Sequence, residues 1–468
     1  MMMVRRTRNG ARLCSALRRT VVLCCLLSPA YAAAANHYIR SGATGANNGS
    51  DWNNAWTTFP SAYVRGDTYY VAGGRYGSLT LSTPASGATY IVLRKATDSD
   101  HGTNTGWNSS YGTAQAVLNA PLRFDSPYWV FDGATGGGPG SWTSGYGFYV
   151  RSVASTSGLK SVSVTGTHHI TIRHTDTCFE DAIGGTTLQD LDNFYLRSGC
   201  SYITISHCAL RHCGRNSITM WENSYITVEY CYFTRNRECL SQHAQAWQDT
   251  GTDNLVIRHN LFDDIRGTGV IVVLAIGSSG VHSDYWEIYG NSFRRGTREY
   301  DGSDAIICVI NDQVATGWKV YNNTFDSIYI LGGRGTVFAT NEAAASGGGH
   351  QVYNNLIYNV NYPLIAFNSA DRTSVRDFNH YRSCTGTIPS EPHGTLGAGD
   401  PFTARTILDY RPTLTVGAGT TLASPYNTDG YGRIRGADGT WDCGACEFSS
   451  GEEPAPPPPP PVGVRLDF

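Results

Sequence analysis

Between residues 235 and 249 the chain reads RNRECLSQHAQAWQD, its densest gathering of reactive side chains. His243 opens a short strand-like run and could act as an acid or a base. Gln245, Trp247 and Asp249 follow at every second position. Such a period puts them on one face of a strand, with Ala244 and Ala246 on the other. The alanines are expected inside and the larger groups outside. In SITMWE (217–222) the same reasoning sends Ile218 and Met220 in, and Thr219 and Trp221 out. Two indoles beside an amide and a carboxylate suit sugar rings, which offer an apolar face and a rim of hydroxyls. The competing reading is a loop that covers both indoles as a secondary core.

Arginines crowd the corners before these runs: Arg215, Arg235, Arg237, Arg266, Arg294, Arg295, Arg298 and Arg334. A row of guanidinium groups would bind carboxylates or sulfates. Taken singly, each also reads as a turn charge paired with neighbours such as Glu238, Asp263 or Asp264. Glu222, Asp249, Asp263 and Asp264 could lend oxygens to Ca²⁺, but no motif specifies a site.

A repeat must position these residues. IRHNLF (257–262), IYGNSF (288–293), VYNNTF (320–325) and VYNNLI (352–357) place Asn260, Asn291, Asn323 and Asn355 at intervals of 31, 32 and 32. Earlier copies put Thr175, Cys208 and Cys231 at the same position. Each unit holds three short β segments and no helical periodicity. One unit cannot bury its own apolar side, whereas a stack of coils spaced by ~4.8 Å can. The repeated Asn is expected at a tight corner, in a conformation that only Gly and Asn adopt readily. A buried amide must be paired, and stacked amides can pair with one another. Cys208 and Cys231 on adjacent coils fall within disulfide range, and a plain thiol stack fits as well.

Composition sets the outer limits. Gly is abundant (53), and Lys occurs only at 95, 160 and 319, which suits a turn-rich all-β chain. Residues 1–32 read as a signal peptide: six arginines, the apolar VVLCCLL (21–27), then AYA (30–32). Without that leader the formal charge of −3 becomes about −9, which argues against nucleic acid as a partner. Ten cysteines remain in an exported chain, six of them between 178 and 239, and disulfides are expected. No other run is long enough to span a membrane. GEEPAPPPPPP begins a Pro-rich tail over 451–468.

The asparagine ladder resembles the right-handed parallel β-helix of the secreted pectate-lyase-like superfamily. The clearest coils cover 160–370, within a single domain of 33–450 that closes over 371–450. GDTYYVAGGRYGSLTL (66–81) resembles the opening coils of such proteins. DGYGRIRGADGTWDCGACEF (429–448) resembles their closing segment. The resemblance implies a groove on the strand after the third corner. It also implies lyases, hydrolases, epimerases or proteins without chemistry. A lyase on an acidic polysaccharide is the expected reading. It needs a cation for the uronate carboxylate and a base for the adjacent proton. Arg237 or Arg266 would supply the cation, and His243 the base. Arg215, Arg235, Arg295, Trp221, Gln245, Trp247 and Asp249 would bind the sugar. A lysine base, as in chondroitinase-B-like lyases, is not expected, because Lys95 and Lys160 lie outside the clear stack and Lys319 falls on another strand. A polygalacturonase-like hydrolase fits poorly: NTD (427–429) and RIR (433–435) sit in the closing segment, and Gly-His-Gly is missing. The alternative class is a secreted or cell-surface glycan-binding adhesin. Either would act as a monomer.

Overall fold

In the computed structural model, described for residues 34–274, 281–294, 305–310, 314–328, 337–340, 347–402 and 404–450, the apolar alternation builds a right-handed parallel β-helix. Among the described residues the strands form three parallel sheets of 12, 12 and 10 strands. Each coil visits them in a fixed order. One coil runs Asp253–Arg258 in the first sheet, Leu261–Asp263 in the second and Gly269–Leu274 in the third. Neighbouring coils pair in register, with Ile226 opposite Leu255 and Val228 opposite Ile257. Alternation therefore stacks like on like. Inside the second sheet Phe233, Phe262, Phe293 and Phe325 form a column with ring centroids 4.4, 4.8 and 5.0 Å apart. Each such side chain contributes about 1.5–3 kcal/mol by leaving water.

The repeated asparagines run between the first and second sheets. Asn260 donates through its backbone N–H and its Nδ2 to Oδ1 of Asn291, at 2.9 and 3.0 Å. Its Nδ2 also donates to the Val228 carbonyl at 2.9 Å. Asn291, Asn323 and Asn355 repeat the pattern, and Asn379 extends it by one coil. The column ends on a carboxylate: Asn379 donates from N and Nδ2 to Glu391 at 3.1 Å. Every amide hydrogen-bonding group in this run has a partner, so the interior polar column costs no unpaired group.

Two expectations about this corner change. The ladder residues are not the left-handed ones. That conformation belongs to the residue before each, such as His207 (φ 52°), Tyr230 (53°), His259 (54°), Gly290 (65°) and Asn322 (53°). At Gly290 a side chain would also collide, since a Cβ would lie 2.6 Å from His259 Nδ1. The cysteines are not joined: all ten in the described part are free thiols. Cys231 Sγ donates to the Ile205 and Glu229 carbonyls at 3.6 and 3.2 Å, as a thiol rung below the asparagines.

Candidate functional site

The third sheet carries the candidate site on its outer face. Along one outward row the register aligns Arg123, Ser163, Tyr195, Thr219 and Gln248, followed by Val272, Cys308 and Ala339. A second row aligns Thr165, Arg197, Trp221 and Thr250. The face thus changes character along the rod. Beyond Gln248 it is apolar and covered, with Val272, Ala305, Cys308 and Ala339 buried as a satellite core. Before that point it is polar and partly open.

At the centre of the polar half lies Asp192, with no exposed surface. Its Oδ2 accepts from Lys160 Nζ at 2.6 Å, Arg215 Nη2 at 2.7 Å and Thr219 Oγ1 at 3.2 Å. Its Oδ1 accepts from Arg215 Nε at 3.0 Å and the Asn216 N–H at 3.1 Å. Burial opposes its charge, but hydrogen bonds and charges from Arg215 and Lys160 outweigh that and hold its pKa below the usual carboxylate value. Arg215 also pairs with half-exposed Asp190 at 2.7 Å. Asn216 ties the coils together, donating from Nδ2 to Thr219 Oγ1 and Gln248 Oε1 and accepting from the Gln245 N–H.

Tyr195 stands above this floor. Lys160 Nζ lies 5.1 Å from the centre of its ring, and the Arg197 guanidinium carbon 5.7 Å from it. Both are cation–π contacts. Arg197 is exposed and makes no ion pair among the described residues. Trp221 follows it in register, half-buried, with its Nε1 lacking a hydrogen-bond partner.

The expected residues are redistributed. Trp247 pairs with Ile218 on one side and Ile271 on the other, so it points inward and is fully buried beside Phe233. Asp249 pairs with Met220 and is inside too, accepting from the Thr252 N–H at 3.1 Å and Ser283 Oγ at 2.9 Å. Burial pushes its pKa up to about 6. Gln245 is buried and donates to Thr268 Oγ1. The inward and outward faces of this strand are therefore the reverse of the expectation. The interior needs the volume of an indole at that level, and alanine would leave a void. Of the sugar-binding set, Arg215 and Trp221 stay on the outer face.

The arginine row is mostly engaged. Arg235 Nε pairs with Asp264 at 2.6 Å, and Arg266 Nη2 reaches the same carboxylate at 3.4 Å. Arg237 donates to the Gln242 and Leu240 carbonyls of its own loop. Arg294 pairs with Asp263. His243 is exposed at the corner. Arg295, Arg298 and Arg334 lie outside the described residues, as do the leader and the Pro-rich tail. Lys160 is a correction in the opposite sense, because it stands on the third sheet, paired in register with Asp192. Its strand, Lys160–Thr165, and Asp192–Arg197 hold the residues that the spacing did not single out. The signal was present in NFYLRS (193–198), where Phe194 and Leu196 are inward and Tyr195 and Arg197 outward. No three His, Cys, Asp or Glu side chains among the described residues gather as a metal site.

Residues 146–292 match the family described as Right handed beta helix region. No curated protein matches the chain. Among solved structures it is similar to pectate lyase Pel9A, at 14% identity over 89% of this chain and 97% of that one, with a TM-score of 0.40. It is similar to XylC in complex with xylose, at 9% identity, covering 78% and 86%, TM-score 0.40. A rhamnogalacturonan lyase aligns at 11% identity, covering 89% and 96%, TM-score 0.35.

Proposed function

We propose that the polar half of the third sheet's outer face binds an acidic polysaccharide outside the cell and cleaves it by β-elimination. The observation that carries this is Arg197, an exposed guanidinium over the Tyr195 ring, beside two cations anchored on a buried carboxylate. Arg197 neutralises the sugar carboxylate and stabilises the enolate that forms when the neighbouring proton leaves. Tyr195 is the base that takes that proton from C5. The electron pair forms the C4–C5 double bond, the C4–O4 bond breaks, and the same phenol returns its proton to O4. Lys160 and Arg215 act as positioning residues, fixed by Asp192. Trp221 flanks the sugar. His243, Arg237 and Arg266 belong to the neighbouring corner in this reading. They contact the chain only where it extends past the cluster.

A second reading, glycan binding without cleavage, has one observation in its favour. Lys160 already meets the Asp190 carbonyl and the Asp192 carboxylate, each at 2.6 Å. A hydrolase finds less support. Of the two carboxylates here, Asp192 is fully buried in a salt bridge, which does not fit an open acid–base pair. The test is incubation with a panel of uronate-containing polysaccharides while following the ultraviolet absorbance of unsaturated uronates. Elimination predicts a rise with at least one substrate. Binding that weakens with salt, without a rise on any, would favour the non-catalytic reading.

A further inference from the structure

The corner between the third and first sheets carries a column of aromatic rings, partly buried at Tyr128 and His169 and exposed at Tyr202 and Tyr225. Tyr128, His169, Tyr202 and Tyr225 occupy one equivalent position on successive coils, with centroids 4.9, 4.8 and 4.9 Å apart. Tyr202 and Tyr225 are parallel to within 1°, yet 52% and 51% exposed. All four residues are left-handed, at φ 61°, 56°, 55° and 54°. That conformation is strained for a bulky side chain. The corner does not demand an aromatic, since Asn254 and Gly317 serve at the same position in later coils, at φ 53° and 68°.

A second ring column makes the comparison. His174, His207, Tyr230 and His259 stack at the asparagine corner in the same conformation. Those histidines are buried under other parts of the chain. His174 Nδ1 donates to the Gly136 carbonyl, and the chain at Gly430 lies against His259. Packing accounts for that column. The tyrosine column has the same construction, but Tyr202 and Tyr225 stay half exposed among the described residues.

We propose that this tyrosine column is a second glycan-binding surface, separate from the charged face, for an extended neutral polysaccharide lying along the rod. Three features select that occupant. The rings repeat once per coil, a spacing close to the length of one pyranose in an extended chain. Stacking locks each ring, so little side-chain entropy is lost on binding. The column offers phenol hydroxyls and apolar ring edges, and burial, then neighbouring His168, lowers the pKa of its one basic member, His169.

The test is retention of the full-length protein on insoluble neutral polysaccharides (cellulose, chitin, xylan) at low and high salt. Wild type is compared with Tyr202→Ala/Tyr225→Ala and with Arg197→Ala. The expected result is retention by at least one polymer, insensitive to salt, lost by about tenfold or more in the tyrosine variant and unchanged in Arg197→Ala. Thermal melting and size-exclusion chromatography control for folding and association. Tyr202→Phe/Tyr225→Phe separates hydroxyl from ring contributions if the alanine variant melts early. No retention by any neutral polymer overturns the proposal. So does retention that both alanine and phenylalanine variants keep. A wild-type dimer that becomes monomeric in the tyrosine variant assigns the column to a second copy and overturns it equally. None of these outcomes depends on elimination at the charged face.

Discussion

Lys160 Nζ lies 2.6 Å from Oδ2 of Asp192, and that carboxylate simultaneously holds Arg215 at 2.7 Å. One buried charge thus fixes two cations from different coils on the same outer face. Removing it would leave both without their common partner.

Asp192→Asn is accordingly expected to lose about 3–5 kcal/mol of unfolding free energy at neutral pH, measured by urea denaturation. The folded pKa of Asp192 is depressed, so its contribution is present above the unfolded value near 3.8 and is lost as pH falls through the folded one. The gap between variant and wild type should therefore close in acid.

Asp249 behaves in the opposite sense. Its pKa is raised from 3.8 to about 6, so the fold favours its protonated form. Wild type should lose about 3 kcal/mol between pH 4 and pH 8 on its account, with most of the change below pH 6. Asp249→Asn should not show that loss. Parallel denaturation curves across this range check it, and a difference between the two proteins that stays constant with pH would contradict it.

Asn260→Leu leaves the Cys231 N–H and the Val228 carbonyl without their side-chain partners. The expected cost is about 2–4 kcal/mol in thermal or chemical unfolding. Glycan binding by the folded variant should be unchanged, because the ladder lies inside the coil.

The interval of the asparagines made the fold and the order of the sheets legible from sequence, because stacked coils demand like residues at like positions. The first copy of the site was harder to read. In AQAWQD both faces of the strand are covered, so alternation of apolar and polar residues no longer tells inside from outside. Trp247 and Asp249 went inside for reasons that alternation does not carry: room for an indole beside Phe233 of the same coil, and donors at Thr252 and, from the next coil, Ser283. Lys160, Asp192 and Arg215 lie far apart in sequence and meet only through register. Nothing local to Asp192 signals that five donors converge on it.

The central claim is that chemistry sits at Arg197 and Tyr195, not at the corner histidine. The direct measurement is the initial rate of unsaturated uronate formation on whichever acidic polysaccharide the wild type cleaves, compared across Arg197→Ala, Tyr195→Phe and His243→Ala. The account predicts a loss of about a hundredfold or more for each of the first two, with melting preserved, and little change for His243→Ala. Undiminished rates in Arg197→Ala and Tyr195→Phe, with activity abolished in His243→Ala, would contradict it.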